Sequence, residues 1–423
     1  MVHALLGGVI FAATLAAIMI RPFRLNEALS AAAGALLMLA GGFVRPGEAA
    51  VLLLRQWNTF GFFLGLMAIS ALAEEAGIFD ALAVAAARWG RGKAARLYLA
   101  VFAVGAVISV FLTNDSTALI LTPVVYALVT RLRLPVLPFM FACTFIADTA
   151  SFVLPVSNPI NIIIQGAFGS TLGTYLRYLF PPSIVAISLN TALFLWLFRR
   201  ELVVGYDPLP PSGRQPGNPR LLQVSWCILG LIAIAYILGS LLGVPLSFIA
   251  LGGAAVMLVA MLSAGRLDVR AAARRVSWPI FLFIAGMLVV VRAVEDLGFT
   301  AAFGNALIRL SGGKPFPAIL LVAGGTAIGA NLINNVPMSL VMVSALRALP
   351  TSAPAYHSLP FAVIFGADLG PNLTTVGSLA TMLWLLILRR RGLEISTREY
   401  FRLGVTFVPA LILIGSLLIW ARL

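Results

Sequence analysis

The sequence predicts an all-α polytopic membrane protein made of two inverted-topology repeats, with about ten transmembrane helices, two re-entrant hairpins and two broken helices. Three observations lead there. Of the 423 residues, 61% are apolar and only 10% are charged, against roughly a quarter charged in a soluble domain. Apolar stretches near the ~20 residues that cross a bilayer recur from 2–20 to 405–420 and leave little chain for anything soluble. Polar landmarks also return in order about 220 residues later: Trp57 at Trp278, Glu74-Glu75-Ala76-Gly77 at Glu295-Asp296-Leu297-Gly298, Asn114-Asp115 at Asn334-Asn335, and Asp148 at Asp368. Leu/Ala-rich helices resemble one another by composition, but composition does not keep polar landmarks in register.

The elements follow in turn. The stretch 2–20 is a retained first span, because no basic leader precedes it and Arg21 and Arg24 come after it. Spans at 27–43 and 57–76 precede an amphipathic stretch, 77–90, with its arginines toward the surface. Two apolar arms, 94–112 and 117–130, are joined by the polar tip Thr113-Asn114-Asp115-Ser116. A segment from 136 to 168 is interrupted by Pro155-Val156-Ser157-Asn158-Pro159, and one more span runs to Phe198. The second half repeats this at 221–240, 246–262 and 278–297, in arms either side of Asn334-Asn335-Val336-Pro337, in a broken segment 359–388, and at 399–420. The organisation is therefore 1–198 as first repeat, 199–220 as a cytoplasmic linker rich in Pro and Gly, and 221–423 as second repeat.

If each pair of arms enters and leaves on one side, each half has five true spans, and an odd number forces the halves to point in opposite directions. Charge tests this. With the N-terminus outside, the cytoplasmic loops collect twenty basic residues, Arg21, Arg24, Arg214 and Arg266 among them, against eight on the outer side. That is a positive-inside bias, and it puts both termini outside. The net charge of +14 is thus a topology signal rather than a footprint for nucleic acid, which is not expected as a partner; membrane lipid is. Inverted repeats with broken helices place a substrate near the midplane, where the interrupted segments meet.

An ionisable residue at membrane depth marks a functional site by default. Of the fifteen acids, only Asp115, Asp148 and Asp368 fall at a hairpin tip or in a broken segment. Irregular backbone at that depth is tolerated where it is packed in protein or lines a wet cavity, so the three are expected to share one. The plainer alternative is that each aspartate caps a half-helix N-terminus. Asp148 and Asp368 hold equivalent places, where opening to either side would rehydrate them, and are the first candidates to carry a proton; Asp115 is the third. Around them stand Ser116, Asn158, Asn161, Asn334, Asn335, Asn372, Thr374, Thr375 and Ser378 with Asn114, which supply donors and acceptors together. That lining suits a neutral hydroxyl-bearing solute or a hydrated cation, since neither tip nor break holds Lys or Arg. Pro123, Pro155, Pro159, Pro337 and Pro371, with Gly366, Gly370 and Gly377, fit breaks and hinges.

Other chemistries find no support. Gly92-Lys93 and Gly313-Lys314 are followed by Ala and Pro, so no P-loop occurs, and drive must come from an ion gradient or a separate subunit. Cys143 and Cys227 lie far apart in apolar runs without CxxC spacing, so neither a disulfide framework nor a metal site is expected, and no cofactor is. His3 and His357 sit at a terminus and in a loop.

The segment Leu112-Thr113-Asn114-Asp115-Ser116-Thr117-Ala118-Leu119-Ile120-Leu121-Thr122-Pro123, then Asp148-Thr149-Ala150-Ser151 with Ser157-Asn158, Asn334-Asn335-Val336-Pro337, Asp368-Leu369-Gly370-Pro371-Asn372-Leu373-Thr374 and Gly377-Ser378-Leu379-Ala380-Thr381, together resemble the ArsB arsenite and antimonite efflux permeases of the ion transporter superfamily. The resemblance implies a bacterial inner-membrane permease that exports arsenite and antimonite as neutral hydroxides against inward proton flow, and that in some members associates with a soluble ATPase of the ArsA type. It also implies a scaffold and a moving transport domain. Some members carry a cysteine where this chain has Ala367, which argues against thiol coordination. Two other readings stand beside it: a sodium/proton antiporter of the same superfamily, and, in a different class, an intramembrane enzyme, which would need a nucleophile with a base that the core does not offer.

Overall fold

A computed structural model of the chain describes residues 2–20, 26–207, 219–265 and 269–423. Arg21, Arg24, Arg214, Arg266 and the linker residues 208–218 lie outside the described residues. Among those described, the chain is helix joined by short turns, with a single isolated antiparallel bridge between Lys93 and Gly205.

Among the described residues, eight helices are long and apolar enough to cross a membrane, or nine if Pro46–Arg55 and Trp57–Glu75, bent by 52°, form one span. The expected ten differ in three respects, the first being that each broken segment forms two helices of 10–14 residues in place of one span. The stretch 27–43 yields only the 14-residue helix Glu27–Ala40, about 21 Å long, because Gly41 and Gly42 end it, Gly42 at a φ of +71°. The outgoing hairpin arms, Ala94–Phe111 and Pro315–Ile333, are themselves long enough to be among the eight. Their return arms, Thr122–Arg131 and Asn335–Arg347, are shorter.

The two halves are interleaved. Trp57–Glu75 lies along Leu246–Ser263, and Pro279–Asp296 lies along Glu27–Ala40. Glycine makes both contacts possible: a Cβ at Gly65 would collide with the backbone of Ala250, and one at Gly286 with that of Ala31, so the helices meet nearly backbone to backbone. Ion pairs tie the short helices Val269–Arg275 and Pro46–Arg55 to one helix of each seam. Arg275 pairs with Glu74 and with Glu75, the latter at 2.8 Å; Arg292 pairs with Glu48 at 2.9 Å and Asp296 at 3.0 Å. These groups are half exposed, so each pair contributes no more than about 1 kcal/mol.

The hairpins pack inward. Ala94–Phe111 lies on Val136–Thr149, and Pro315–Ile333 lies on Leu359–Leu369, where Gly366 and Gly370 meet Ala323 and Ala327 closely. The last helices of the halves, Leu172–Leu197 and Thr397–Trp420, pack on each other. Phe145 joins them through ring contacts to Phe194 at 4.8 Å, Tyr400 at 4.9 Å and Phe407 at 5.4 Å, which anchors the first broken segment in an aromatic core.

Both interruptions form as the prolines require. Val136–Thr149 gives way to a turn at Pro155–Ser157, and Pro159 then opens Pro159–Phe168 from the first helical position. Leu359–Leu369 gives way to a turn at Gly370–Leu373 before Leu379–Arg390. The capping alternative is corrected here for Asp148 and Asp368, while Asp115 lies in a first turn that Thr113 caps. Asp148 and Asp368 lie in the last turns of the first half-helices, whereas the second half-helices are capped by Asn158, which accepts from Ile160 N at 3.2 Å, and Ser378, which accepts from Thr381 N at 3.1 Å.

Candidate functional site

The first tip is set by Thr113, whose hydroxyl accepts from Ser116 N at 3.1 Å and starts a single helical turn. A π-helical stretch, Thr117–Leu121, follows before the return arm; such bulges in helices are frequent at functional sites. Asn114 then points inward, its Oδ1 accepting from Asp115 N at 3.0 Å and its Nδ2 donating to Asp148 Oδ1 at 3.2 Å. The second tip turns at Asn334, which holds a φ of +73°, a conformation a non-glycine residue adopts only at a cost of about 1–3 kcal/mol. It is held there because Asn334 Oδ1 accepts from Val336 N at 3.3 Å and Asn335 N donates to Gly377 O at 3.0 Å.

The broken segments exchange partners. Asn158 Nδ2 donates to Asp368 Oδ1 at 2.6 Å. Ser378 Oγ lies 3.4 Å from each oxygen of Asp148, and Thr381 Oγ1 donates to Asp148 Oδ2 at 3.3 Å. Each aspartate therefore sits at the C-terminal end of its own half-helix, where the dipole disfavours a carboxylate, and is answered by a donor at the N-terminal end of the opposite half's second half-helix. Both are 1% exposed. Asp368 Oδ2 has no hydrogen-bond partner, an expensive state for a buried acceptor.

In front of this pair is a cavity of about 200 Å³. Asn114, Asp115, Asn158, Asn334, Asn335 and Ser378 line it, so both tips and both breaks contribute. Asp148 and Asp368 do not line it; each stands one side chain behind, reached through Asn114 and Asn158. Among the described residues, no Lys or Arg lines the cavity.

Five expected site residues, Thr375 among them, do not line the cavity. Ser116 bonds Ser70 Oγ at 2.7 Å and Thr113 Oγ1 at 2.8 Å. Asn161 Nδ2 donates to Ser151 O at 2.7 Å, Asn372 Nδ2 to Thr149 Oγ1 at 3.1 Å, and Thr374 Oγ1 to Asn331 Oδ1 at 2.7 Å. These four brace the tip and the breaks. Conversely, the outer helices bring Asn26, Glu27 and Ser277 to its wall, and Asn331 and Thr381 act behind it. Thr381 follows the cap Ser378 by three residues and Asn331 precedes Asn334 by three, spacings that share a helix face. Asn26 and Glu27 carry only the signal of a helix start. Among the described residues, no three of His, Cys, Asp or Glu cluster as metal ligands; Cys143 is buried and Cys227 exposed.

A citrate transporter family profile matches residues 14–366. The arsenical pump membrane proteins of Escherichia coli K12 and Shigella flexneri are each 32% identical to the chain over 406 residues, 95% of both proteins. The one from Yersinia enterocolitica is 32% identical over 408 residues. Among solved structures, the Alcanivorax borkumensis YdaH transporter superposes with a TM-score of 0.57 at 16% identity, over 87% of this chain and 85% of that one. That likeness bears on the fold. With relatives of this identity spanning nearly its whole length, the chain is a multi-pass membrane transporter that belongs to the arsenical pump membrane protein family.

Proposed function

We propose that the protein exports trivalent arsenic and antimony, as the neutral hydroxides arsenite and antimonite, from the cytoplasm across a bacterial inner membrane in exchange for protons. One observation carries this: a cavity whose polar lining is five asparagines, two serines, an aspartate and a glutamate, with no Lys or Arg among the described residues, backed by two carboxylates that touch its lining. A trihydroxide offers three donors and as many acceptors, which amides and hydroxyls match in either sense. A tricarboxylate such as citrate would face Asp115 in a cavity that no described Lys or Arg lines, so the substrate in the family profile's name fits poorly. The contacts support proton coupling. An ionised Asp148 accepts from Asn114 Nδ2; a proton on Asp148 discharges the carboxylate and weakens that hydrogen bond, which lets the amide turn toward cargo, and Asn158 links Asp368 to the cavity in the same way. A soluble ATPase of the ArsA type would add to this scheme and is not a condition of it.

The reading includes the inverted repeats 1–198 and 221–423 around the linker 199–220, re-entrant hairpins, and both termini outside. Contacts support it by joining residues that this topology puts on one side. Arg275 meets Glu74 and Glu75, and the Arg391 guanidinium lies 5.3 Å from the Tyr126 ring, on the cytoplasmic side. Arg292 meets Glu48, Arg177 donates to Arg422 O at 2.8 Å, and Arg347 donates to Ala167 O at 2.8 Å, on the other.

Everted membrane vesicles test the function. Arsenite should accumulate when a proton gradient is imposed and leak out when it is collapsed. Sodium-dependent proton release with no arsenite accumulation would replace the reading with that of a sodium/proton antiporter.

A further inference from the structure

Helix Pro219–Leu241 does not close against its neighbours. Between it and the corner formed by Ile78–Gly90 and Ala94–Phe111 runs an apolar slot of about 280 Å³, from Trp226 to Tyr236. A narrower crevice continues past Tyr236 to Ser240 and Leu246. At their junction the Tyr236 hydroxyl is buried without a hydrogen-bond partner.

The other half fills the same place with protein. Phe299, which stands 221 residues after Ile78, lies against Gly8 of the first helix, and a side chain at neighbouring Gly7 would run into Leu297 and Phe43. On the second side, Ile78 faces the slot and a Cβ at Gly230 would meet nothing within 4 Å. The gap is therefore specific to one half. It is continuous with the bilayer-facing surface of the same helix, where Leu231 is 65% exposed, Ile234 53% and Leu238 52%.

We propose that this slot holds one acyl chain of a bilayer phospholipid, drawn from the leaflet at the Leu241 end of the helix, as a fixed part of the folded protein. The dimensions select the occupant. From Tyr236 to Trp226 the helix rises about 15 Å, half of the ~30 Å hydrocarbon core, so the slot is within the length of a single tail. Val107, Phe111 and Trp226, which line the slot, are also exposed on the outer surface, so the slot opens to the bilayer and a lipid tail is the apolar molecule at hand to enter it. Apolar cavities of this size take up apolar guests rather than water.

Native mass spectrometry of the full chain purified in mild detergent tests this. The wild type should retain one phospholipid per chain after detergent exchange. Gly230→Leu, which fills the slot, should lower the retained fraction about tenfold, while Ile234→Leu on the bilayer-facing side of the helix should retain it. Equal retention in Gly230→Leu and wild type, or a lipid-free wild type, or a lipid-free dimer, overturns the proposal. Should Gly230→Leu fail to fold, the wild type alone decides: added phospholipid should raise the melting temperature of delipidated protein saturably, and no rise overturns it.

Discussion

Asn158 Nδ2 donates to Asp368 Oδ1 at 2.6 Å, although 210 residues separate the two in sequence. The same relation with the halves exchanged joins Ser378 to Asp148. Each broken segment thus completes the other, and the cavity in front of them depends on that exchange.

Replacing Asn158 with Ala should remove its hydrogen bond to Asp368 and destabilise the protein by about 1–3 kcal/mol. Asp368→Asn in the Asn158→Ala background should recover part of that loss, since a neutral amide is cheaper to bury unpaired than a carboxylate. Thermal melts of the two single variants and the double variant measure the coupling; strictly additive losses would show that the contact carries no energy.

Asn334 combines a side-chain role with a strained backbone, and two substitutions separate them. Asn334→Gly relieves the positive φ, whereas Asn334→Ala keeps it. Both should weaken arsenite binding by about 5- to 150-fold, the equivalent of about 1–3 kcal/mol, while only Asn334→Ala should also lower the melting temperature. Wild-type affinity in the glycine variant would remove the second tip from the substrate site.

The two buried aspartates should differ from Asp115 in what they control. Asp148→Asn or Asp368→Asn is expected to abolish proton-driven accumulation in vesicles while leaving a folded protein, with at least one variant still binding arsenite. Full pH-dependent transport in both would shift the proton to Asp115, which borders the cavity directly.

Topology is checked by single-cysteine labelling after Cys143 and Cys227 are replaced. A cysteine in the Gly312-Gly313 turn should react from outside and one among Arg389 to Arg391 only from the cytoplasm. Reaction of both from one side would contradict inverted halves.

The amino-acid order revealed the repeating landmarks and the right classes of polar residue, because hydropathy and rare buried charges are local properties of the chain. It placed Asn114, Asn158, Asn334, Asn335 and Ser378 with Asp115, all of which the fold brings to one cavity. Which way a side chain turns was not readable. Ser116, Asn161, Asn372 and Thr374 have the same chemistry and depth as the lining residues, yet local backbone and hydroxyl partners capture them. Asn26, Glu27 and Ser277 were missed because their part in the wall comes from helix packing between distant segments. The aspartates' places at half-helix ends also depended on the turn after each break, which Pro155 and Gly370 open later than the carboxylate itself.

The backbone-close seam at Gly65 and Ala250 has a consequence for biosynthesis. Trp57 is synthesised 189 residues before Leu246, the first residue of the helix on which its own helix is packed, a delay of about 10–40 s at ordinary elongation rates. Throughout that interval a glycine-notched face waits in the bilayer with no protein against it, exposed to insertion machinery and quality-control proteases. Maturation is gated by the arrival of the later helices, and a ribosome that stalls in the second half leaves behind an orphan rather than half a transporter.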